Sequence, residues 1–337
     1  MEAYLYDALP EDAVKCNLCH HRCRIAEGQR GICNVRENRS GKLYTLVFDK
    51  VIARHADPIE KKPLFHFYPG TAAYSVATVG CNFRCRFCQN ADIAQMPSDQ
   101  GGRILGDGAT PREIVSSAER NGCRSIAYTY TEPTVYFELA FETAKLAHER
   151  GIKNVFVTNG YMSTEALEMI QPYLDAANVD LKAFSGDFYR SYCGARLDGV
   201  KKTLLQMRDK GIFIEVTTLL IPELNDRRSE LASLAAFLRD GLGPDVPWHI
   251  SRFHPTYRLL DRPATPLAAL TEARQIGLDA GLRYVYTGNV PGEEGENTFC
   301  HNCGSLLIDR WGFTIRQNRI TDGKCYRCRT PVGGLGM

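Results

Sequence analysis

The sequence contains no apolar run that approaches the roughly 18 residues of a membrane-spanning helix, so it predicts no membrane association. The sequence also lacks an excess of charge of one sign, since its net charge is +2. This charge balance indicates neither a nucleic-acid-binding surface nor an acidic tail. The first residues, MEAYLYDALPEDAVK, lack the basic segment and the apolar stretch of a signal peptide. We therefore expect a cytoplasmic protein without a membrane or nucleic-acid partner.

No glycine-rich dinucleotide-binding motif follows the first predicted strand, YSVATV (74–79), which argues against a Rossmann fold. Apolar strands instead alternate with helices, as in a parallel sheet covered by helices. The helix 110–122 has clear end signals, because Thr110 and Glu113 can form a capping box. The other predicted strands are 125–130, 154–159, 178–183, 212–221, 248–253 and 284–289, and the other predicted helices are 135–151, 163–174, one ending near 211, 228–239 and 266–280.

Six or seven such units over about 220 residues favour an incomplete α/β barrel over an open doubly wound sheet. In parallel barrels the reactive groups lie at the carboxyl ends of the strands. We therefore expect the functional residues of this chain at that end.

Cysteine is abundant for a chain without signs of export, with 13 residues. Reduced thiols in such a protein predict metal binding rather than disulfides. Cys123 and Cys193 stand alone and are expected to be small buried apolar residues. The others form groups of four, three and four: Cys16, Cys19, Cys23 and Cys33; Cys81, Cys85 and Cys88; Cys300, Cys303, Cys325 and Cys328.

The middle group lies in GCNFRCRFCQN (80–90), directly after the first predicted strand. A four-iron cluster takes one outer ligand for each iron, so three cysteines leave one iron open. Catalytic metals keep such an open position, whereas structural metals do not. The alternative is a structural metal site that takes its fourth ligand from a distant cysteine. The position at the carboxyl end of a strand favours the catalytic interpretation.

The motif CNFRCRFC is similar to the signature of the radical S-adenosylmethionine (SAM) superfamily. More closely, DPIEKKPLFHFYPG followed by VGCNFRCRFCQN resembles the AmmeMemoRadiSam-type proteins, which are relatives of the pyruvate formate-lyase activating enzyme. The resemblance covers nearly the whole chain. It implies an incomplete (β/α)6 barrel in which Cys81, Cys85 and Cys88 hold a catalytic [4Fe–4S] cluster that binds SAM. One electron would cleave SAM to methionine and a 5′-deoxyadenosyl radical, which abstracts hydrogen from a substrate.

The resemblance also implies partners. These are a one-electron donor such as flavodoxin or ferredoxin, and a protein or peptide substrate of the kind that glycyl-radical-enzyme activases use. Memo-family and AMMECR-family proteins are further expected functional partners.

Two strand ends resemble the SAM-binding elements of the activating enzymes. Thr131 and Glu132 occupy the place of a Gly-Gly-Glu-Pro element that holds the methionine amino group, although both glycines are missing here. Asn159 lies in a Thr-Asn-Gly element that the activating enzymes also carry. The residues themselves leave plainer alternatives, since Glu132 also suits a helix start and Asn159 a turn.

Further along, the resemblance implies that Asp180 and Lys182 contact the ribose and the carboxylate of SAM. Residues two apart on a strand face the same side, so an ion pair at the rim is the alternative for these two. His254, just after a predicted strand, matches a cofactor-contacting histidine of the activating enzymes.

The two outer cysteine groups each offer four thiolates. Cys300, Cys303, Cys325 and Cys328 form two Cys-x2-Cys pairs around LLIDR and FTIRQ, which predicts a zinc ribbon, with a single iron as the lesser alternative. The spacing of Cys16, Cys19, Cys23 and Cys33 does not choose between zinc and a fully ligated auxiliary iron–sulfur cluster, and a structural metal is slightly favoured.

We therefore expect three regions: a metal-binding module at 1–55, a radical SAM core at 56–292 and a zinc-ribbon-like module at 293–337. The favoured function is that of a radical SAM oxidoreductase similar to the pyruvate formate-lyase activating enzyme. A non-catalytic iron–sulfur and zinc interaction protein is the alternative.

Overall fold

A computed structural model describes all 337 residues of the chain. Its amino-terminal part consists of short antiparallel strands: β1 (Tyr6–Ala8), β2 (Val14–Cys16), β3 (Arg24–Ile25), β4 (Arg36–Arg39) and β5 (Lys42–Thr45). Strands β4 and β5 are joined at Ser40 and Gly41, whose φ angles are 52° and 74°. Two successive positive φ values give the tight turn that matches the twist of a two-stranded ribbon.

The middle of the chain forms one eight-stranded sheet with the order β15-β14-β13-β12-β11-β10-β8-β7. Strand β7 is an antiparallel edge, and the other seven strands are parallel. Strands β6 and β9 pair separately. The bounds are β6 (Lys50–Val51), β7 (Ala53–Pro58), β8 (Ala72–Ala77), β9 (Asp107–Gly108), β10 (Ser125–Tyr128), β11 (Lys153–Thr158), β12 (Ala176–Asp180), β13 (Phe213–Leu220), β14 (Trp248–Arg252) and β15 (Val285–Gly288).

Helices connect the parallel strands. They are α1 (Ala91–Ala94), α2 (Met96–Asp99), α3 (Pro111–Arg120), α4 (Phe137–Glu149), α5 (Thr164–Ile170), α6 (Gly186–Phe188), α7 (Leu197–Asp209), α8 (Arg228–Leu242) and α9 (Leu267–Asp279). The predicted capping box of α3 is present, because Thr110 accepts from the Glu113 N–H and Glu113 accepts from the Thr110 N–H. None of these helices is long and apolar enough to cross a lipid bilayer.

The predicted parallel α/β architecture is confirmed, and the structure has seven parallel strands where the resemblance implied six. The edge strands β7 and β15 do not pair with each other, so the sheet is not closed. Helix α5 stops at Ile170, earlier than predicted, and Gln171–Tyr173 form a 3-10 turn. Pro172 explains the early stop, since proline cannot donate the next helical hydrogen bond. Strand β7 crosses the predicted module boundary at residue 55.

The main apolar core lies between the sheet and its helices, with buried residues such as Val76, Ile126, Phe156, Val179 and Val216 in the strands. A second apolar cluster joins the sheet to the carboxyl-terminal part, where Phe65 and Tyr286 pack against Leu307 and Ile308. That part contains β16 (Thr298–Phe299), β17 (Leu306–Trp311), β18 (Thr314–Asn318), β19 (Ile320–Thr321) and β20 (Lys324–Cys325).

Candidate metal and cofactor site

A cavity of about 520 Å³ lies at the carboxyl ends of the parallel strands. This volume is within the usual range for small-molecule sites. Its wall combines the three middle cysteines with residues at the carboxyl ends of six of the strands. The wall includes Cys81, Cys85, Cys88, Tyr130, Thr131, Asn159, Asp180 and Lys182.

The cysteine loop starts at Gly80, where the chain leaves β8 with a φ angle of 99°. A Cβ atom at Gly80 would lie only 2.6 Å from Val35 Cγ1, so both the backbone angle and the packing require glycine. Two donors point at the first thiol of the loop, because Phe83 N and Asn159 Nδ2 each lie 3.3 Å from Cys81 Sγ. The loop is therefore held by the end of β11 as well as by its own backbone.

The three thiols do not have the spacing of a single-ion site. The Sγ atoms of Cys81, Cys85 and Cys88 do not all lie within 4.8 Å of one another, as ligands of one metal ion would. Thiolates bound to different irons of a cluster stand farther apart, because an iron–iron edge lies between them. The loop and its cavity therefore fit an iron–sulfur cluster held by three thiolates.

Asp180 and Lys182 face the cavity together, as their spacing predicts. Lys182 Nζ donates to Asp180 Oδ2 at 2.9 Å, and the lysine side chain is only 12% exposed. The Tyr189 hydroxyl fixes the Lys182 backbone by accepting from its N–H at 3.0 Å. The result is one cation and one anion in the same cavity wall as the three cysteines.

Tyr130 lies in the cavity wall in an unusual backbone conformation that no sequence pattern indicates. Tyr130 has a φ angle of 61°, a left-handed conformation that glycine adopts far more readily than tyrosine. Its hydroxyl donates to Asp57, its carbonyl accepts from Asn90 Nδ2 at 2.8 Å, and Lys62 Nζ lies 4.5 Å from its ring centre. These contacts hold Tyr130 in its glycine-like backbone conformation, in the segment where the sequence resemblance expects two glycines.

Asp57 and Lys62 form a buried ion pair behind Tyr130, with Lys62 Nζ 2.8 Å from Asp57 Oδ2. Burial lowers the pKa of Lys62 to about 8 despite the attraction of Asp57. Burial also acts against the charged form of Asp57, but Lys61, Lys62 and Tyr130 donate to it and hold its pKa well below the ordinary value.

A family model described as the radical SAM superfamily matches residues 75–235, which span β8, the cysteine loop and the strand ends as far as β13. An uncharacterized protein of Methanocaldococcus jannaschii is 47% identical over 97% of this chain and 96% of its own length. The chain belongs to the radical SAM superfamily.

Other relatives of this radical SAM protein are more distant. The pyruvate formate-lyase-activating enzyme of Streptococcus mutans is 24% identical over 48% of this chain and 63% of its own length. The crystal structure of Streptococcus suis SuiB bound to S-adenosylmethionine superposes with a TM-score of 0.52 and 16% identity. That comparison covers 72% of this chain and 56% of SuiB, and it supports the shared fold.

Thr131 and Asn159 line the cavity, whereas Glu132 does not. Glu132 is 1% exposed and accepts from Thr134 N, Thr158 Oγ1 and Asn159 N. It therefore joins the end of β10 to the end of β11, and burial still raises its pKa. The expected contact between the Glu132 carboxylate and SAM stays a prediction, because here both oxygens serve these internal hydrogen bonds.

His254 lies on the exposed chain after β14 and does not line the cavity. From this side of the sheet, Ser251 and Asn289 reach the cavity instead. Both follow the general rule that polar residues at strand ends line a parallel-sheet site, but neither belongs to a motif. The cofactor contact expected for His254 stays a prediction.

The lone Cys193 is fully buried, as expected, and it lies against the middle cysteine group. Its thiol is a hydrogen-bonding neighbour of Cys85. It does not line the cavity. Cys193 is therefore a further thiol near the loop that has to be considered as a fourth ligand.

The carboxyl-terminal cysteines have the geometry of a single-ion site. The four Sγ atoms all lie within 4.8 Å of one another, with Cys300 and Cys328 3.6 Å apart and Cys303 and Cys325 3.7 Å apart. Four thiolates at about 2.3 Å from one ion stand roughly 3.8 Å apart in a tetrahedron. The ligand set is therefore already close to the arrangement that binds a metal.

The amino-terminal cysteines are arranged differently. Cys16, Cys19, Cys23 and Cys33 all line one small cavity, together with Arg36 and Asn82. No three of their Sγ atoms lie within 4.8 Å of one another. The sequence left both zinc and an auxiliary iron–sulfur cluster open at the amino-terminal group. The spacing of its Sγ atoms differs from that of the carboxyl-terminal group.

Proposed function

We propose that this radical SAM protein is an enzyme that cleaves SAM reductively at a [4Fe–4S] cluster held by Cys81, Cys85 and Cys88. The supporting observation is that three thiols, rather than four, line a cavity of about 520 Å³ at the carboxyl ends of the strands. A cluster there would supply the electron that converts SAM to methionine and a 5′-deoxyadenosyl radical. The cavity wall would then direct this radical to a hydrogen atom of the substrate.

The polar wall residues suit the two ends of SAM. Lys182 offers a buried ammonium for the methionine carboxylate, and Asp180 can accept from ribose hydroxyls. Asn159 donates to Cys81 Sγ, a hydrogen bond that a metal-bound thiolate can also accept. Tyr130 and Thr131 line the same cavity, and hydrogen bonds with Asp57 and Asn90 help to fix the conformation of Tyr130.

We propose a protein or peptide as the substrate, with chemistry similar to that of glycyl-radical-enzyme activation. Support comes from the relative named as a pyruvate formate-lyase-activating enzyme, which matches about half of this chain. Phe313, 48% exposed between β17 and β18, reaches the cavity mouth and offers an apolar contact outside the SAM site. The electron would come from flavodoxin or ferredoxin, and Memo-family and AMMECR-family proteins stay predicted partners.

We further propose that Cys300, Cys303, Cys325 and Cys328 hold a structural zinc ion. Their close spacing supports this assignment. An ion bound by all four thiolates has no open coordination position for a substrate, as is typical of structural zinc. The metal would hold together a region whose apolar cluster is small.

The decisive experiment measures reductant-dependent formation of 5′-deoxyadenosine by anaerobically prepared protein. The wild type and Cys193→Ala are expected to form it, whereas Cys85→Ser is expected to lose it. Equal background in the wild type and Cys85→Ser would contradict the proposal and favour the non-catalytic interaction protein. Loss of activity in Cys193→Ala, together with loss of iron, would show that no iron is left open.

A second variant tests the SAM contact. Lys182→Met is expected to raise the KM for SAM while the iron content stays that of the wild type, because the lysine binds the cosubstrate rather than the cluster. Leu219→Met, at another position of the cavity wall, is the matched control. An unchanged KM in Lys182→Met would remove this residue from the SAM site.

A further inference from the structure

The amino-terminal cysteine group contains buried hydrogen-bond donors that have no partner within the protein. Arg36 is 1% exposed, and its Nη2 pairs with Glu138, but its Nε and Nη1 atoms are unpaired. Asn82 is also 1% exposed, and its Nδ2 is unpaired. Both residues line the cavity that the four thiols line. Buried donors without partners are costly, so these atoms point to an acceptor that the protein itself does not supply.

The distances between the thiols decide what kind of acceptor fits. A single zinc or iron ion needs its thiolates roughly 3.8 Å apart, as at the carboxyl-terminal group. No three of the four amino-terminal Sγ atoms lie even within 4.8 Å of one another. Ligands spread over the irons of a cluster have wider spacing, and the bridging sulfides of a cluster accept hydrogen bonds.

We propose that Cys16, Cys19, Cys23 and Cys33 hold a second iron–sulfur cluster, ligated fully by the chain, whose sulfurs accept from Arg36 and Asn82. The salt bridge to Glu138 balances the charge of Arg36, so the guanidinium contributes mainly as a fixed donor. The assignment stands on the chain's own thiols and donors and does not depend on SAM chemistry.

The second cluster lies beside the first, because Asn82 follows Cys81 directly. Asn159 Nδ2 donates both to Cys81 Sγ at 3.3 Å and to Asn82 Oδ1 at 3.1 Å. Asn82 itself lines the amino-terminal cavity, and its Nδ2 has no partner within the protein. The segment at Cys33 also packs against the start of the middle cysteine loop, since a Cβ atom at Gly80 would lie 3.3 Å from the Cys33 carbonyl oxygen.

This arrangement gives the second cluster the role of an electron relay, a step that rests on the proposed function. An external one-electron donor of the flavodoxin or ferredoxin class would reduce the amino-terminal cluster by one electron. That cluster would return to its oxidised state by passing the electron to the cluster held by Cys81, Cys85 and Cys88. No bond is made or broken at the amino-terminal group, since its four ligands leave no open iron.

Metal and sulfide analysis tests the site independently of activity. In anaerobically prepared, 57Fe-enriched wild type we expect about six to eight irons per chain with matching sulfide and about one zinc, since cubane and two-iron clusters add four and two irons. The triple variant Cys81→Ala, Cys85→Ala, Cys88→Ala is expected to keep about two to four irons with cluster-type Mössbauer spectra. About four irons and two zincs in the wild type would overturn the proposal, even if the triple variant does not fold.

The relay is tested with Cys23→Ser, Cys33→Ser. This double variant is expected to lose 5′-deoxyadenosine formation supported by flavodoxin but to keep formation supported by dithionite, a small reductant that reaches the first cluster directly. Equal flavodoxin-supported rates in the variant and the wild type would refute the relay and leave the second cluster itself standing. Failure of the proposed function would look different, since the wild type would then be inactive with either reductant.

Discussion

The amino-terminal and carboxyl-terminal cysteine groups have the same number of thiols but different geometry. At the carboxyl-terminal group the four Sγ atoms already lie within 4.8 Å of one another, whereas no three of the amino-terminal ones do. Hydroxyls contact two of the carboxyl-terminal thiols. The amino-terminal thiols instead share a cavity with Arg36 and Asn82, which carry unpaired donors. A group of four cysteines therefore indicates a metal site, and we infer the kind of metal from the distances between the sulfur atoms.

Replacing one cysteine in each group should give the largest difference between the two groups, in the metal that each variant loses. Cys303→Ser is expected to remove the zinc, because structural zinc sites of this kind contribute roughly 10 kcal/mol or more to the folding of the segments they hold. We expect rapid hydrogen exchange across 298–337, with protection retained in the central sheet, in a mass-spectrometric measurement.

The matched variant Cys19→Ser should lose iron and sulfide while it keeps its zinc. Loss of zinc from both variants, with unchanged sulfide, would mean that the two groups bind the same metal and that the contrast between them is wrong.

The buried pair of Arg36 and Glu138 should account for the next largest effect. Both side chains are 1% exposed, so Glu138→Gln leaves an uncompensated buried guanidinium. Breaking such a pair typically costs about 3–5 kcal/mol, measurable as a lower free energy of unfolding in denaturant. The comparable pair beside the carboxyl-terminal group, Arg283 with Asp245, is 41% and 48% exposed.

Asp245→Asn is therefore the control, and its effect should stay below about 1 kcal/mol, as for other surface ion pairs. Similar decreases in the free energy of unfolding in Glu138→Gln and Asp245→Asn would show that the buried Arg36–Glu138 pair does not stabilise the protein more than the exposed pair.

His66 lies between the central sheet and the carboxyl-terminal region, and it should make their contact sensitive to acid. Burial lowers its pKa to about 4, and its ring contacts the Gly333 carbonyl and the Tyr286 hydroxyl. Because the folded pKa lies below the unfolded value, the neutral ring stabilises the fold fully above about pH 6.5, and this stability is lost as the pH falls towards 4.

The free energy of unfolding should thus decrease by roughly 2 kcal/mol between pH 7 and pH 5 through this residue. In His66→Gln this part of the pH dependence should disappear, whereas the exposed His55→Gln should retain it. The same pH dependence in both variants would place the acid sensitivity elsewhere.

The sequence predicted the features that depend on local patterns. Strand–helix alternation gave the parallel sheet, and the capping box of α3 is present. The spacing of Asp180 and Lys182 correctly predicted that they share a face. The place of Tyr130 could not be predicted, because its positive φ depends on Asp57, which is 73 positions away in the chain.

Glu132 and His254 illustrate the same limit. A carboxylate after a strand suits an ammonium ligand, but here Thr158 and Asn159 of the next strand take up its oxygens. His254 is exposed because of the direction that the chain takes after β14. The hydrophobic periodicity of the sequence does not predict this direction. Contacts between distant segments therefore decided which strand-end residues reach the cavity.

The smallest expected effect concerns the hydroxyls that contact the carboxyl-terminal thiols. Thr330 Oγ1 lies 3.2 Å from Cys328 Sγ, and contact with Thr330 lowers the pKa of this thiol to about 5. Thr330→Val removes the hydroxyl without changing the shape, and residues that support metal ligands typically contribute about tenfold or more in affinity. We expect zinc to be lost to a chelator at about tenfold lower chelator concentration, with iron unchanged. Thr321→Val, on the exposed ribbon β19, is the control. If Thr330→Val instead changed the iron signal, the two cysteine groups would be coupled rather than independent.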